Sequence, residues 1–355
     1  MSARIVIAGG GLAGIEAALG LRELASADAE ITIVAPAREL AHQALDAPWT
    51  MSGIVRHPLD EVCARLGVTL VRDAIASVDV AARSVALQRE GSVAYDALLV
   101  AVGARRVMSL DHAVVFGSAL DVPAVERLRD LVQGGDARRV AFIVPPGAAW
   151  SLPAYEGALR AADAGAESVV VTSEPRPLDI FGSASSQVAE VLAAAGVTVV
   201  HGTAVDTEPG TVVLADDTRV HADAIVAQPW VRGPRVEGLP HDDDGFLPTD
   251  PWCAVDGASG VWGAGDGTVF PIRQGGLACQ QAAVAAASIA AAAGADVPVE
   301  PLRPVVRGAL PTPSGALWLE HDLSSGEARS SDQPLWDPPS RIAGVRLPAF
   351  LASLS

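Results

Sequence analysis

A chain that opens Arg4-Ile5-Val6-Ile7-Ala8 and runs straight into Gly9-Gly10-Gly11-Leu12-Ala13-Gly14 has few folds open to it. The apolar run reads as a buried parallel strand and the glycines as a tight turn. From Leu12 to about Ala25 the pattern turns helical, with Leu12, Ile15, Leu19 and Leu21 near one face. Strand, Gly-x-Gly-x-x-Gly and helix in that order are the pattern of a dinucleotide-binding turn. Each glycine has a task. Gly9 makes the turn, Gly11 lets backbone approach a pyrophosphate, and Gly14 lets the helix sit close to the strand. The helix then offers free N–H groups and a partial positive charge to the phosphates.

The second strand is Ile31-Thr32-Ile33-Val34, and an acid at its end would hold a ribose. The chain instead reads Ala35-Pro36-Ala37-Arg38-Glu39, so Arg38 becomes the candidate for the adenosine end, or Glu39 reaches back. Residues 40 to 58 read as irregular, and Pro58 to Leu66 as a short helix. The next stretch recurs. Gly67-Val-Thr-Leu-Val matches Gly196-Val-Thr-Val-Val, and Tyr95-Asp-Ala-Leu-Leu-Val-Ala-Val-Gly103 matches His221-Ala-Asp-Ala-Ile-Val-Ala-Gln228. A spacing of about 130 residues is too long for a solenoid. It implies an α/β fold of two tandem Rossmann-like, doubly wound domains, the second inserted in the first. Residues 1–110 and 236–300 would form one, residues 111–235 the other, and residues 301–355 a C-terminal cap or dimer arm.

The second turn, Pro145-Pro146-Gly147-Ala148-Ala149-Trp150-Ser151-Leu152-Pro153, keeps one glycine. Its prolines remove N–H donors, and Trp150 adds bulk where a pyrophosphate would lie. Ser151 is a candidate N-cap and Pro153 suits a first helical turn. Late in the chain, Gly260-Val-Trp-Gly-Ala-Gly265-Asp266 reads as a strand ending in a carboxylate. The Ala-rich helix that follows aims its N-terminus, near Gln274, Gly275 and Leu277, at the same space.

These signatures resemble the FAD-binding signatures of the two-dinucleotide-binding-domain flavoproteins, the pyridine nucleotide–disulfide oxidoreductase superfamily. Pro271-Ile-Arg-Gln-Gly-Gly-Leu-Ala and Leu335-Trp-Asp-Pro-Pro-Ser-Arg-Ile-Ala-Gly resemble the branch of type II NADH dehydrogenases and sulfide:quinone oxidoreductases. The resemblance implies non-covalent FAD. Gly9 to Gly14 would lie on its pyrophosphate, with Ala35, Pro36 and Arg38 near the adenosine and backbone at Ile75 on the adenine. Asp266, after Gly265, would meet the ribityl chain. Ala101, Val102 and Gly103 would pass the flavin, and the dipole of the Gln274–Gly275 helix would favour negative charge at its N1/C2 edge. The superfamily's redox cysteine pair has no counterpart here.

Composition narrows the partners. A net charge of −17 argues against nucleic acid. All 25 basic residues are arginine, which excludes Walker-type lysine and Schiff-base chemistry. No apolar run reaches the roughly 18 residues of a membrane helix, so no transmembrane segment is expected. Three scattered cysteines and a strand starting near Met1 point to the cytoplasm.

The candidate catalytic groups are His42, as a proton donor in the loop after the second strand, and Cys279, as a thiolate at the helix N-terminus. A polar loop histidine and a buried core cysteine are the plainer readings of each. Trp49 and Trp150 are candidate pocket walls. Asp242-Asp243-Asp244 reads as a solvated turn, and no metal site is expected. Three functions remain open. One is an FAD-dependent oxidoreductase acting on a small molecule or a redox partner protein without a standard NAD(P)H site. The second is an NAD(P)H-dependent flavin or quinone reductase. The third is a flavoprotein-like accessory subunit of a biosynthetic complex. A homodimer is compatible with each.

Overall fold

In the computed structural model, which describes residues 2–44, 53–89, 91–107, 110–115 and 122–354, two five-stranded parallel sheets repeat one design. The first has the order Val261–Gly263, Ala97–Val100, Arg4–Ala8, Glu30–Val34, Thr69–Val71. The second has the order Val114–Val115, Ala224–Ala227, Arg139–Val144, Glu167–Thr172, Thr198–His201. Each carries a three-stranded antiparallel meander, Ile75–Ala94 in the first and Ala204–His221 in the second. The chain leaves the first unit through Arg105–Val107 and re-enters it through Trp230–Arg232, and these two segments pair antiparallel. The second unit is thus nested within the first.

The central strand shows why the sequence folds this way. Ile5 and Ile7 face the leading helix, Leu12–Leu24, while Val6 and Ala8 face the meander side. Both faces are covered, which is the setting for an unbroken apolar strand. The repeat extends to its pins. The Asp96 carboxylate accepts the N–H of Arg4 at 2.8 Å, where the first sheet begins. Asp223 accepts the N–H groups of Arg138 and Arg139 at 2.8 and 2.9 Å, where the second begins. Gly67 and Gly196, the matched glycines, both end helices at positive φ (66° and 72°), as the left-handed position demands.

Two stretches differ from the sequence reading. Glu39–Gln43 and Ile54–Pro58 form an antiparallel hairpin where irregular chain was expected, anchored by the buried Leu40. Residues 305–331, inside the stretch expected as a C-terminal cap or dimer arm, form three antiparallel strands despite Pro311. Val306, Leu310 and Leu319 sink into the core of the second unit, so alternation along the strand outweighs the prolines.

The late helix, Gly275–Ala292, is long and apolar enough to cross a membrane by length and composition alone, which corrects the expectation that no stretch is. Its polar side chains are tied to protein, with Gln280 bonded both ways to the Val305 backbone and Ser288 to the Trp252 carbonyl. The final helix, Leu347–Ala352, returns to the leading one. There the buried Glu16 accepts the N–H groups of Arg346 and Leu347 at 2.8 and 2.9 Å.

The Arg4 guanidinium and N–H hold the Asp96 carboxyl down to about 2. A depressed carboxyl stabilises the fold above its unfolded value, and that contribution is lost as pH falls through the folded one. The pair is nearly half exposed (48% and 41%), so the effect is small. Asp96→Asn should lower the urea midpoint modestly at neutral pH, and the gap to the unaltered protein should close between about pH 4 and pH 2.

Candidate functional site

The glycine turn is held by backbone contact. Gly9 sits at φ +126°, and a Cβ there would lie 2.1 Å from the Ala101 carbonyl oxygen. A Cβ on Gly14 would lie 2.0 Å from the Gly9 carbonyl oxygen, so helix and strand approach as the spacing required. Gly11 opens onto space, with nothing within 4 Å of a built Cβ. The leading helix has no side-chain cap and no acid in its first turn. Its first N–H groups are therefore available to an anion.

A groove of about 680 Å³ runs from this turn. Gly9, Gly10, Gly11, Leu12, Ala13, Ala35, Pro36, Ile75, Ala101, Val102, Gly103, Gly265, Asp266 and Gly275 all line it. Gly14 supports it from behind. Arg38 is exposed and is not among the residues that line it, and its carbonyl accepts the Leu59 N–H. Glu39 does not reach back, because the hairpin pairs it with Arg56 at 3.6 Å. The groove is also lined by Arg105, Arg235 and Gln88, which sequence reasoning missed because they come from segments distant in the chain.

The late helix brings its N-terminus to the same place. A Cβ on Gly275 would lie 3.0 Å from Leu12 Cδ1. Gln274 is the N-cap, its Oε1 accepting the Leu277 N–H at 3.1 Å and its amide donating to the Arg307 carbonyl at 2.7 Å. Its polar groups are thus committed to the protein rather than to a ligand. Gly265, at φ +81°, gives its N–H to Gln281 at 2.7 Å and leads into Asp266. Burial raises the Asp266 carboxyl above its ordinary value, and nearby Arg273 opposes the shift.

Beyond Leu12, Gly103, Ala104, Asp266 and Gly275, which border both spaces, the groove meets a chamber of about 900 Å³. Trp150 walls it, edge-on to Phe181. His42 also lines it, stacked on His57 with 5.5 Å between ring centroids. Burial lowers the His42 pKa. Among the described residues, Nε2 of both rings has no partner. Trp49 lies outside the described residues.

Cys279 does not reach this space. It is fully buried beside Glu16 and Gly344, and burial pushes its thiol well above the ordinary value. Desolvation overrides the helix-terminus effect on which the thiolate reading rested. The Asp242 run is a turn, with Asp242 accepting the Phe246 N–H and Asp244 paired with Arg232.

Polar groups around the second unit's turn bond to one another, while Ala148, Ala149 and Trp150 of the turn line the chamber. Ser151 makes no cap bond; its hydroxyl donates to Glu174 at 2.7 Å. Glu174 follows the strand Glu167–Thr172, where a ribose-binding acid belongs. Its carboxylate also accepts the Tyr155 and Thr172 hydroxyls. The Trp230 indole donates to the Pro146 carbonyl across the turn.

Residues 3–294 match the profile of the pyridine nucleotide-disulphide oxidoreductases, and the chain belongs to that family, whose enzymes are FAD-dependent oxidoreductases. The fold is similar to that of the sulfide:quinone oxidoreductase of Aquifex aeolicus: TM-score 0.79, 18% identity, 93% of this chain and 87% of that one. It is also similar to the ferredoxin reductase for the CYP199A2 system of Rhodopseudomonas palustris: TM-score 0.69, 21% identity, 90% and 82% coverage. A NAD-dependent persulfide reductase from A. fulgidus aligns at TM-score 0.66 and 18% identity, over 91% of this chain and 65% of that one. No curated protein matches the sequence.

All three cysteines are buried, and burial raises Cys63 to about 11 and Cys253 to about 12. A thiol reagent at about pH 8 should label none of them in the folded protein and all of them in denaturant. Labelling of Cys279 in the native state at the rate of a free thiol would restore the thiolate reading.

Proposed function

We propose that this chain holds FAD along the glycine groove and exchanges electrons between it and a small planar molecule in the tryptophan-walled chamber, with no standard NAD(P)H site. The observation that carries this reading is the meeting of groove and chamber at Leu12, Gly103, Ala104, Asp266 and Gly275. The residues fit the cofactor. Gly11 leaves the space a pyrophosphate needs, and the uncapped leading helix supplies N–H groups to it. In this reading the Asp266 carboxylate, which lines the groove, accepts a ribityl hydroxyl. When bound, FAD supplies two-electron redox chemistry.

The chain's own groups do the rest. Trp150 and the C-terminal strands wall the chamber. His42, which also lines the chamber and whose pKa burial lowers, is the proton-exchanging group of this reading. Against a second dinucleotide stand Pro145, Pro146 and Glu174. The prolines supply no N–H groups, and Glu174 already accepts three hydroxyls.

Purified protein should be yellow and carry FAD. Asp266→Ala should weaken FAD retention about tenfold or more, the scale of a lost hydrogen bond to a charged group. Colourless protein that refuses added FAD would overturn the reading. Under anaerobic conditions NADH and NADPH should leave the flavin absorbance in place over minutes, and rapid bleaching would show that the second unit does receive a nicotinamide.

A further inference from the structure

The chamber is an arginine site in an acidic protein. The chain carries a net −17, yet Arg106, Arg160, Arg273, Arg307 and Arg341 line this one space. The acids on its wall are Glu156, Asp266 and Asp332. Arg341 and Arg273 are held by protein groups. Arg341 clasps the buried Glu156 with both terminal nitrogens. Arg273 donates to the Asp266, Pro271 and Thr268 carbonyls and lies 3.8 Å over the Phe246 ring.

Arg307 is arranged differently. Its Nε donates to Glu320 at 2.7 Å, and Glu320 takes Arg329 on its other oxygen. Two guanidinium groups share one carboxylate, so the triad keeps a net positive charge. Among the described residues the two Nη groups of Arg307 make no hydrogen bond. The guanidinium lies 6.0 Å from the Trp336 ring, and Trp336 stands edge-on to Trp318 with 4.7 Å between centroids. The Trp336 indole is itself fixed by a 3.0 Å bond to the Ser340 carbonyl. A positioned fork beside a fixed aromatic wall suits a flat ring bearing a carboxylate, since guanidinium and carboxylate pair in one plane.

We propose that the chamber binds planar aromatic acids, the acid group on the Nη atoms of Arg307 and the ring against Trp336. This rests on the reading of the chamber as the side of the site where the small molecule sits. It narrows that molecule to an organic anion.

The test compares 2-naphthoate with its uncharged analogue 2-naphthamide by calorimetric titration of the full-length, FAD-supplemented protein. The acid binds about tenfold or more tightly than the amide, as one charge-assisted hydrogen bond predicts. Salt at about 1 M weakens the acid and leaves the amide nearly unchanged. Arg307→Gln removes the preference, and Arg307→Lys, which keeps the charge but not the fork, restores part of it. The comparison in the unaltered protein stands whether or not the variants fold. Equal binding of acid and amide, or no binding of the acid, overturns the proposal. So does a preference that survives Arg307→Gln in a folded protein. Protein that takes up FAD without preferring the acid overturns this proposal and leaves the functional reading standing. Protein that takes no FAD overturns both.

Discussion

The contact on which the site depends is the packing of two parallel, small-residue helices. Ala13, Ala17, Ala18 and Leu21 of the leading helix share one core with Ala278, Ala282, Ala285 and Ala286 of the late one. The approach is close along its length. A Cβ on Gly20 would touch the Ala286 Cβ at 3.0 Å, and one on Gly275 would reach Leu12 at the same distance. Leu12 and Gly275 both begin their helices, so both positive ends face one space. Larger side chains on this seam would push the helices apart and open that arrangement. The alanine-rich composition that gives the late helix a membrane-like hydropathy is what lets it lie this close.

The two parallel-sheet units are one plan built twice. They share strand order, the aspartate that pins the first strand, and the glycine that ends the preceding helix. They part at the turn after the first strand. In the first unit the turn leaves N–H groups open and a glycine facing empty space. In the second, Ser151, Tyr155 and Thr172 turn onto Glu174, Trp230 covers Pro146, and the Gln228 amide donates to the Trp150 carbonyl. These donors of that end are taken up by the protein itself. The domain keeps its core and contributes a wall.

The C-terminal sheet joins the units. Gly308 sits where a Cβ would strike Leu152 at 2.4 Å, which brings the strand Val305–Thr312 down on the second unit's helix. Gln274 and Gln280 tie the same strand to the late helix. The chamber exists because this sheet roofs the gap between them. Its polar wall is built from residues more than a hundred positions apart, such as Glu156 with Arg341.

Local pattern alone determined a good deal. Strand–glycine–helix order, the repeated Gly-Val-Thr segments and the Gly265-Asp266 strand end are short-range features, and steric limits on backbone and spacing make them readable without a structure. That is why the lining glycines, Ile75 and Asp266 were nameable from the chain, and why the nested parallel sheets were. What a side chain meets across space was not so readable. Cys279 and Gln274 lie at a helix start that aims at the groove, yet one is desolvated and the other is spent on its own helix and on strand Val305–Thr312. Arg38 follows the right strand yet lies exposed outside the groove lining. Only tertiary packing decides which polar groups are buried, which are already paired and which remain for a ligand, because those are properties of neighbours brought together from opposite ends of the sequence.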